Sequence, residues 1–237
     1  MAAATPRTYR YYDFIMVAFV TVLICSNFIG AAKQAVIDLP LLGPVPFGAG
    51  VLFFPISYIF GDILTEVYGY GRDRRVVWAG FGALIFASFM AWVVVSLPPA
   101  GSDFMKSYQA SLEGVFGSSW RIAGGSIIAF WCGSFANSYA LAKMKLWTQG
   151  KLLWTRTIGS TIVGELIDSS LFYFIAFYGI WATGDIVKIA IAQYVLKTSW
   201  EIVMTPVTYR VVAFLKRAES EDYYDRSTNF TPFSVKV

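Results

Sequence analysis

The sequence predicts an all-α membrane protein, a polytopic bundle of six transmembrane helices. Of its 237 residues, 57% are apolar and only 14% are charged, whereas ordinary globular domains carry about 25% charged residues. Six apolar stretches approach or exceed the roughly 20 residues that cross a bilayer as a helix. The predicted spans cover residues 12–32, 48–68, 76–97, 122–142, 158–181 and 186–214.

The basic residues predict the orientation of these spans. Fourteen of the 19 lysines and arginines fall before span one, between spans two and three, between spans four and five, or in the last turns of span six and after it. Basic residues concentrate in cytoplasmic segments, so both termini are expected in the cytoplasm. The net charge of +4 is therefore a topology signal and does not call for a nucleic-acid partner.

The segments outside the spans suggest one transporter domain, residues 11–216, followed by a polar cytoplasmic tail, residues 217–237. The Pro- and Gly-rich segment 33–47 predicts a short turn or hairpin. Segment 98–120 contains an amphipathic stretch near 108–116, interpreted either as a helix in the membrane interface or as a lid. The tail is acidic and then polar, and it is expected to be disordered or loosely held.

Six ionisable side chains inside the predicted spans are the most informative feature of the chain. A charge at mid-bilayer costs about 2.5–3.5 kcal/mol, so six unpaired charges would cost roughly 15–20 kcal/mol. That sum exceeds the stability of a typical domain. The six side chains must therefore pair, take up protons, or face a polar cavity. They are Asp62, Glu66, Glu165, Asp168, Lys197 and Glu201.

Span two places Tyr58, Asp62 and Glu66 on one helical face, because residues four apart lie one turn from each other. Such a stripe cannot face lipid. Pro55 leaves one carbonyl without its amide donor and is expected to kink the span. The alternative is that the two acids only neutralise the basic residues that follow: Arg72, Arg74 and Arg75.

Span five places Glu165 and Asp168 on a shared face with Thr161 one turn earlier. Arg156 precedes this span, and either reaches Glu165 by snorkelling or remains at the headgroups. Glu165 and Asp168 are therefore candidates for a polar binding site inside the bundle.

Span six brings Lys197 and Glu201 to the i, i+4 spacing of a helical ion pair. They are either a self-neutralising structural pair or a functional pair for gating or coupling. Asn27 and Asn137 lie late in spans one and four, where a buried amide bonds a neighbouring helix or a polar ligand.

The two halves of the chain echo each other weakly, since Gly61-Asp62 in span two is matched by Gly164-Glu165 in span five. Three spans per half would give the inverted 3+3 repeat of many transporters. Glycine faces at 80–82 and 124–125 allow packing within one chain or between two copies, so a homodimer is an open alternative.

Several classes are disfavoured. The chain has no histidine and only two cysteines, Cys25 and Cys132, on separate spans, so neither a metal site nor a redox cofactor is expected. No nucleotide-binding loop is present. No serine has a histidine base, and an intramembrane aspartyl hydrolase, though formally open, lacks its recognisable motifs. An enzyme is not expected.

Residues 55–69, with the pattern Gly-Asp-x-x-Thr-Glu-x-Tyr-Gly, resemble the queuosine-precursor transporter family, also called the vitamin uptake transporter family. The resemblance continues through residues 26–27, 135–137, 156–169 and 197–209. It implies a multi-pass protein of the bacterial plasma (inner) membrane that takes up 7-cyano- or 7-aminomethyl-7-deazaguanine. It also suggests substrate contacts from Asn27, Tyr58, Asp62, Glu66, Asn137, Glu165 and Asp168, and gating or coupling by Arg156, Lys197 and Glu201.

Three alternatives stay open at this point. In the first, the chain is the substrate-binding subunit of an uptake system that a separate ATPase energises. In the second, it transports another purine-like base or a vitamin. In the third, it is a membrane receptor or scaffold in which the acids form structural ion pairs.

Overall fold

The computed structural model describes residues 8–29, 33–39, 43–117 and 120–234. Over these residues the chain forms seven α-helices, one 3₁₀ turn and one two-stranded sheet. The helices are α1 (Tyr12–Phe28), α2 (Phe54–Tyr68), α3 (Tyr70–Ser96), α4 (Asp103–Phe116), α5 (Trp120–Trp147), α6 (Leu153–Phe177) and α7 (Thr183–Glu219). Strands β1 (Gln34–Leu39) and β2 (Gly43–Gly48) pair antiparallel between α1 and α2.

The two ends of the chain meet at one end of the bundle. The backbone N–H groups of Arg10 and Tyr11 donate to the carboxylate of Glu219 at 3.0 and 2.7 Å. The Tyr9 hydroxyl donates to Glu221 at 2.6 Å. We call this the termini end. The cytoplasmic placement of this end stays a prediction from the basic residues.

Three helical segments are long and apolar enough to cross a membrane: Ala49–Tyr68, Tyr70–Ser96 and Leu153–Phe177. Helix α1 is apolar but spans 17 residues. The predominantly helical membrane-type architecture is thus supported, while the number of six crossings and the inverted 3+3 repeat remain predictions.

Span two differs from its prediction at Pro55. A 3₁₀ turn over Ala49–Leu52 precedes α2, and Pro55 lies in the first turn of that helix. The N–H groups of a first turn have no partner within the helix, so proline fits there without breaking a bond. Pro55 therefore starts the helix, and the predicted kink is wrong. Helix α7 stays helical through Pro206.

The described parts of two connecting segments form regular secondary structure. Strand β1 pairs with β2 from Gln34 opposite Gly48 to Leu39 opposite Gly43, which matches the predicted hairpin. The segment predicted as an interface helix or lid contains α4, whose first turn is capped by the Ser102 hydroxyl accepting from the Met105 N–H at 3.3 Å. None of its residues is buried.

The tail is packed, so the expectation of disorder is wrong for residues 220–234. The buried carboxylate of Asp225 accepts from the Tyr70 N–H at 3.1 and 3.2 Å. The Trp78 indole donates to the Pro232 carbonyl at 2.8 Å, and the Arg74 guanidinium donates to the Asn229 carbonyl at 2.7 Å. Hydrogen-bond donors on α3 thus have their acceptors in the tail, although the polar composition of the tail predicts a segment exposed to solvent.

Glycines set the closest helix contacts. A Cβ at Gly133 would lie 3.0 Å from the Gly164 carbonyl, which shows that α5 and α6 nearly touch. A Cβ at Gly80 would meet the Leu23 side chain at 2.8 Å. Gly80 therefore packs within the chain, and the homodimer stays a prediction.

Removing the tail's buried acid is expected to release the tail. Asp225→Ala leaves the Tyr70 N–H buried without its acceptor, a cost of about 1–3 kcal/mol. We expect a lower melting temperature in detergent and faster proteolysis after Arg226. Asp103→Ala, which removes a fully exposed carboxylate on α4, is the control. Equal protease resistance of the two variants would contradict this account of the tail.

Candidate functional site

Ten charged side chains, most of them buried, form two separate groups. The termini-end cluster consists of Glu66, Lys145, Arg156, Lys216 and Asp222. The cavity-side cluster consists of Asp62, Glu165, Asp168, Lys197 and Glu201. The sequence had placed all six charges of the predicted spans in one candidate set, and the structure divides them.

In the termini-end cluster, Glu66 of α2 binds three cations from three other helices. Arg156 of α6 contacts it in a bidentate manner, with Nε to Oε2 at 2.7 Å and Nη2 to Oε1 at 2.8 Å. Lys216 of α7 donates to Oε1 at 2.5 Å. Lys145 of α5 donates to the Glu66 backbone carbonyl at 2.6 Å and lies 3.5 Å from Oε1.

Asp222 of the tail completes this cluster. Its Oδ1 lies 2.6 Å from Lys145 Nζ and 2.8 Å from Lys216 Nζ. Partial burial opposes ionisation of Asp222, but the hydrogen bonds from Lys145 and Lys216 outweigh it and hold its pKa below the ordinary value. The cluster therefore has three cations and two anions, and it ties the tail to four helices.

This geometry corrects two interpretations. Arg156 binds Glu66 and not Glu165. Glu66 does neutralise basic residues, but they come from α5, α6 and α7 and not from the arginines that directly follow span two. Its carboxylate is fully buried, and its ion-pair partners are Lys145, Arg156 and Lys216.

A cavity of about 840 Å³ occupies the half of the bundle farther from the termini. It is bounded by the last turn of α1, the second half of α3, the end of α4, the start of α5, the middle of α6 and the first half of α7. Most of its wall is apolar or aromatic, with residues that include Phe54, Leu84, Trp92, Phe116, Trp120 and Phe172. Its size lies within the range of ligand pockets, roughly 300–1,000 Å³.

Lys197 and Asp168 bring charge to the cavity wall. The Lys197 ammonium lies 2.5 Å from Asp168 Oδ2 and 2.9 Å from Glu165 Oε2, so it bridges α7 to two acids of α6. It also lies 4.3 Å from the centre of the Phe54 ring, a cation–π contact. The expected Lys197–Glu201 pair is therefore replaced by pairing between helices.

A fully buried polar layer lies next to this wall. Asp62 Oδ1 accepts from Asn137 Nδ2 at 2.7 Å. Both carboxylate oxygens of Glu201, and the Tyr58 hydroxyl, have no hydrogen-bond partner among the described residues. Asp62, Asn137, Tyr58 and Glu201 are thus near the charged wall without belonging to the cavity lining.

Asn27 does reach the cavity lining. Its Nδ2 donates to the Leu23 carbonyl at 2.8 Å, and its Oδ1 accepts from the Ser126 hydroxyl at 2.7 Å. The bond from Ser126 joins α5 to α1, whereas the bond to Leu23 lies within α1, so Asn27 links two helices on the cavity wall.

Several lining residues were absent from the sequence-based site, and those nearest in the chain to Asp168 and Lys197 are Ser169, Phe172, Tyr173 and Gln193. Two of them carried a usable signal, since Gln193 lies one turn before Lys197 and Ser169 follows Asp168. Phe172 and Tyr173 carried none, because the chain contains 20 phenylalanines and 14 tyrosines and helical spacing alone does not single these two out.

Comparison with known proteins connects this site to a family. A family profile described as "Putative vitamin uptake transporter" matches residues 48–211. The chain belongs to this family. The matched region contains every residue of both clusters except Lys216 and Asp222, which lie beyond its end. Membership in a transporter family agrees with a membrane protein that holds a ligand-sized cavity.

Two curated relatives cover most of the chain. The "Probable queuosine precursor transporter" of Bacillus subtilis (strain 168) is 32% identical over 197 residues, 83% of this chain and 81% of the relative. The "Queuosine precursor transporter" of Escherichia coli (strain K12) is 26% identical over 176 residues, 69% of this chain and 71% of the relative. No solved structure matches this member of the family.

Removing the negative charge of Glu66 is expected to destabilise the whole bundle. Glu66→Gln leaves three cations without their shared carboxylate, and breaking a buried ion pair costs about 3–5 kcal/mol. The melting temperature in detergent should fall strongly. Glu113→Gln on α4, where the side chain is solvent-accessible, is the matched control. An unchanged melting temperature for Glu66→Gln would contradict the central position of Glu66.

Proposed function

We propose that the chain is a membrane transporter that takes up queuosine precursors, 7-cyano- and 7-aminomethyl-7-deazaguanine, into the bacterial cytoplasm. The observation that carries the proposal is the aromatic-walled cavity with Asp168 and Lys197 on its wall. Family membership and the names of two relatives supply the cargo class.

The chemistry of the base suits this cavity. A guanine-like base presents two adjacent N–H donors, which one carboxylate accepts together. Its flat faces stack on aromatic side chains, and Phe54, Trp92, Phe172 and Tyr173 lie along the cavity. Asp168 is the proposed acceptor, because it is the acid on the lining. The aminomethyl precursor is a cation and would gain further from the surrounding acids.

The other buried residues have supporting roles in this proposal. Lys197 holds Asp168 and Glu165 in place through its ion pairs with both carboxylates. The polar layer next to Lys197 consists of Asp62, Asn137, Tyr58 and Glu201. A change in the position of Lys197 is transmitted to α2 through this layer. Glu66 and Arg156 belong to the closure at the termini end and do not contact substrate.

The arrangement fits one state of an alternating-access cycle. Transporters of this kind bind cargo near the middle of the membrane and open one end at a time. The cavity occupies the half away from the termini, while an ion cluster and the packed tail close the termini end. Passage of the base requires that this cluster separate in another state.

Replacing Asp168 is the direct test of the site. Asp168→Asn removes one of the two anionic partners of Lys197 and weakens acceptance of the base's N–H donors. We expect uptake of labelled 7-deazaguanine bases by purified protein in liposomes to fall at least tenfold, since hydrogen bonds to a charged group contribute about 1.5–3 kcal/mol. Asp185→Asn, at an exposed position of α7, is the matched control.

The liposome assay also separates the proposal from the ATPase-energised alternative. Uptake by the purified chain without any partner supports a transporter, whereas binding without uptake would indicate a binding subunit. Full activity of Asp168→Asn would remove the site assignment while leaving the transporter proposal standing.

A further inference from the structure

Two buried acids, Asp62 on α2 and Glu201 on α7, have no cation as a partner. Both side chains are fully buried, and neither takes part in an ion pair found among the described residues. Asn137 Nδ2 donates to Asp62 Oδ1 at 2.7 Å. Asp62 Oδ2 and both carboxylate oxygens of Glu201 lack a hydrogen-bond partner among the same residues. Three carboxylate oxygens are thus buried without a donor. We call these two acids the acid pair.

The charged groups that face the acid pair are themselves acids. Asp62 and Glu201 repel each other. The nearest cation along α7, Lys197, is already held by Asp168 and Glu165. The other acids that repel one member of the pair come from three helices: Glu66 on α2, Asp73 on α3 and Glu165 on α6.

This environment favours a bound proton. Two carboxylates that repel each other in a buried site without a counter-ion cannot both stay ionised, because desolvation and repulsion oppose the second charge. A proton removes one charge and turns a carboxylate oxygen into an O–H donor. The Tyr58 hydroxyl, one turn before Asp62, is also buried without a partner among the described residues. It can supply one hydrogen to this layer, fewer than the three oxygens require.

We propose that the acid pair binds a proton that crosses the membrane together with the base, so that a proton gradient drives uptake. This inference rests on the proposed function and adds its coupling ion. The proton comes from the solution to which the cavity opens and binds one carboxylate oxygen of the pair. It leaves to the cytoplasmic solution when the termini end opens. The O–H bond is the one covalent bond that forms and breaks.

Lys197 connects the acid pair to the proposed base site. Its ammonium bridges Asp168, on the cavity wall, and Glu165. Glu201 lies one turn after Lys197 on α7, so an ionised Glu201 competes with these two acids for the ammonium. Protonation of Glu201 ends that competition and leaves Lys197 on α6. Binding of the base at Asp168 and of the proton at the pair therefore act on one ion pair, and each changes the affinity for the other.

The test uses purified full-length protein in liposomes, with the membrane potential held at zero. Labelled 7-cyano-7-deazaguanine is the probe, because it is neutral. At equal pH on both sides the base should only reach equal concentrations. With the outside more acidic by about one pH unit, one proton per base allows about tenfold accumulation inside. Unlabelled base added outside at equal pH should also acidify the interior, which a trapped pH dye records.

Two variants test the acid pair itself. Glu201→Gln and Asp62→Asn each remove one acid while nearly keeping its shape, and with it the repulsion that makes the pair bind a proton. Each variant should lose the tenfold accumulation and the interior acidification. Exchange of labelled for unlabelled base at equal pH should remain measurable. Glu113→Gln, at an exposed position of α4, is the matched control and should keep all three activities.

Several results would overturn the inference. One is wild-type accumulation that is the same with and without the pH gradient, or wild-type uptake without interior acidification, and neither measurement depends on a variant that folds. Another is a folded acid-pair variant that still accumulates the base as wild type does. A folded variant that also loses exchange would place the pair in base binding, against the proton role. If wild type neither accumulates nor exchanges a base, the proposed function itself fails, and this inference with it.

Discussion

Glu66 is the charge on which the closed half of the bundle depends. One carboxylate from α2 receives cations from α5, α6 and α7, and Asp222 of the tail bridges two of those cations. Every helix in this contact is held by the same buried anion. The termini end is fixed in this way, and the cavity lies in the other half, where Lys197 bridges α7 to α6.

The two charge clusters differ in sign balance, and we propose that this difference reflects a structural role for one and a binding role for the other. At the termini end three cations surround two acids. On the cavity side, Asp62, Glu165, Asp168 and Glu201 accompany the single ammonium of Lys197. An excess of acceptors beside a cavity suits a ligand rich in N–H donors, since those donors satisfy acceptors that would otherwise stay buried and unpaired. A deazaguanine base has this character.

Part of the site could be predicted from the sequence. Helical periodicity correctly placed Tyr58, Asp62 and Glu66 on one buried face. It could not name the partners of Glu66, because Arg156 and Lys216 are 90 and 150 residues away in the chain. Local spacing favoured a Lys197–Glu201 pair, but the Lys197 ammonium pairs with Glu165 and Asp168 of α6. The tail's packing could not be predicted from the sequence. Some of its acceptors are backbone carbonyls, which every sequence offers, and its acids pair with groups far away in the chain.

We propose that the base binds beside Asp168 and Lys197 on the cavity wall and not at the Glu66 cluster. A structure of the protein in lipid with 7-aminomethyl-7-deazaguanine bound tests it most directly. The account predicts density for the base inside the cavity, with its N–H donors within hydrogen-bond distance, about 3 Å, of the Asp168 carboxylate. Density beside Glu66 and Arg156, or a bound base with no contact to Asp168, would contradict it.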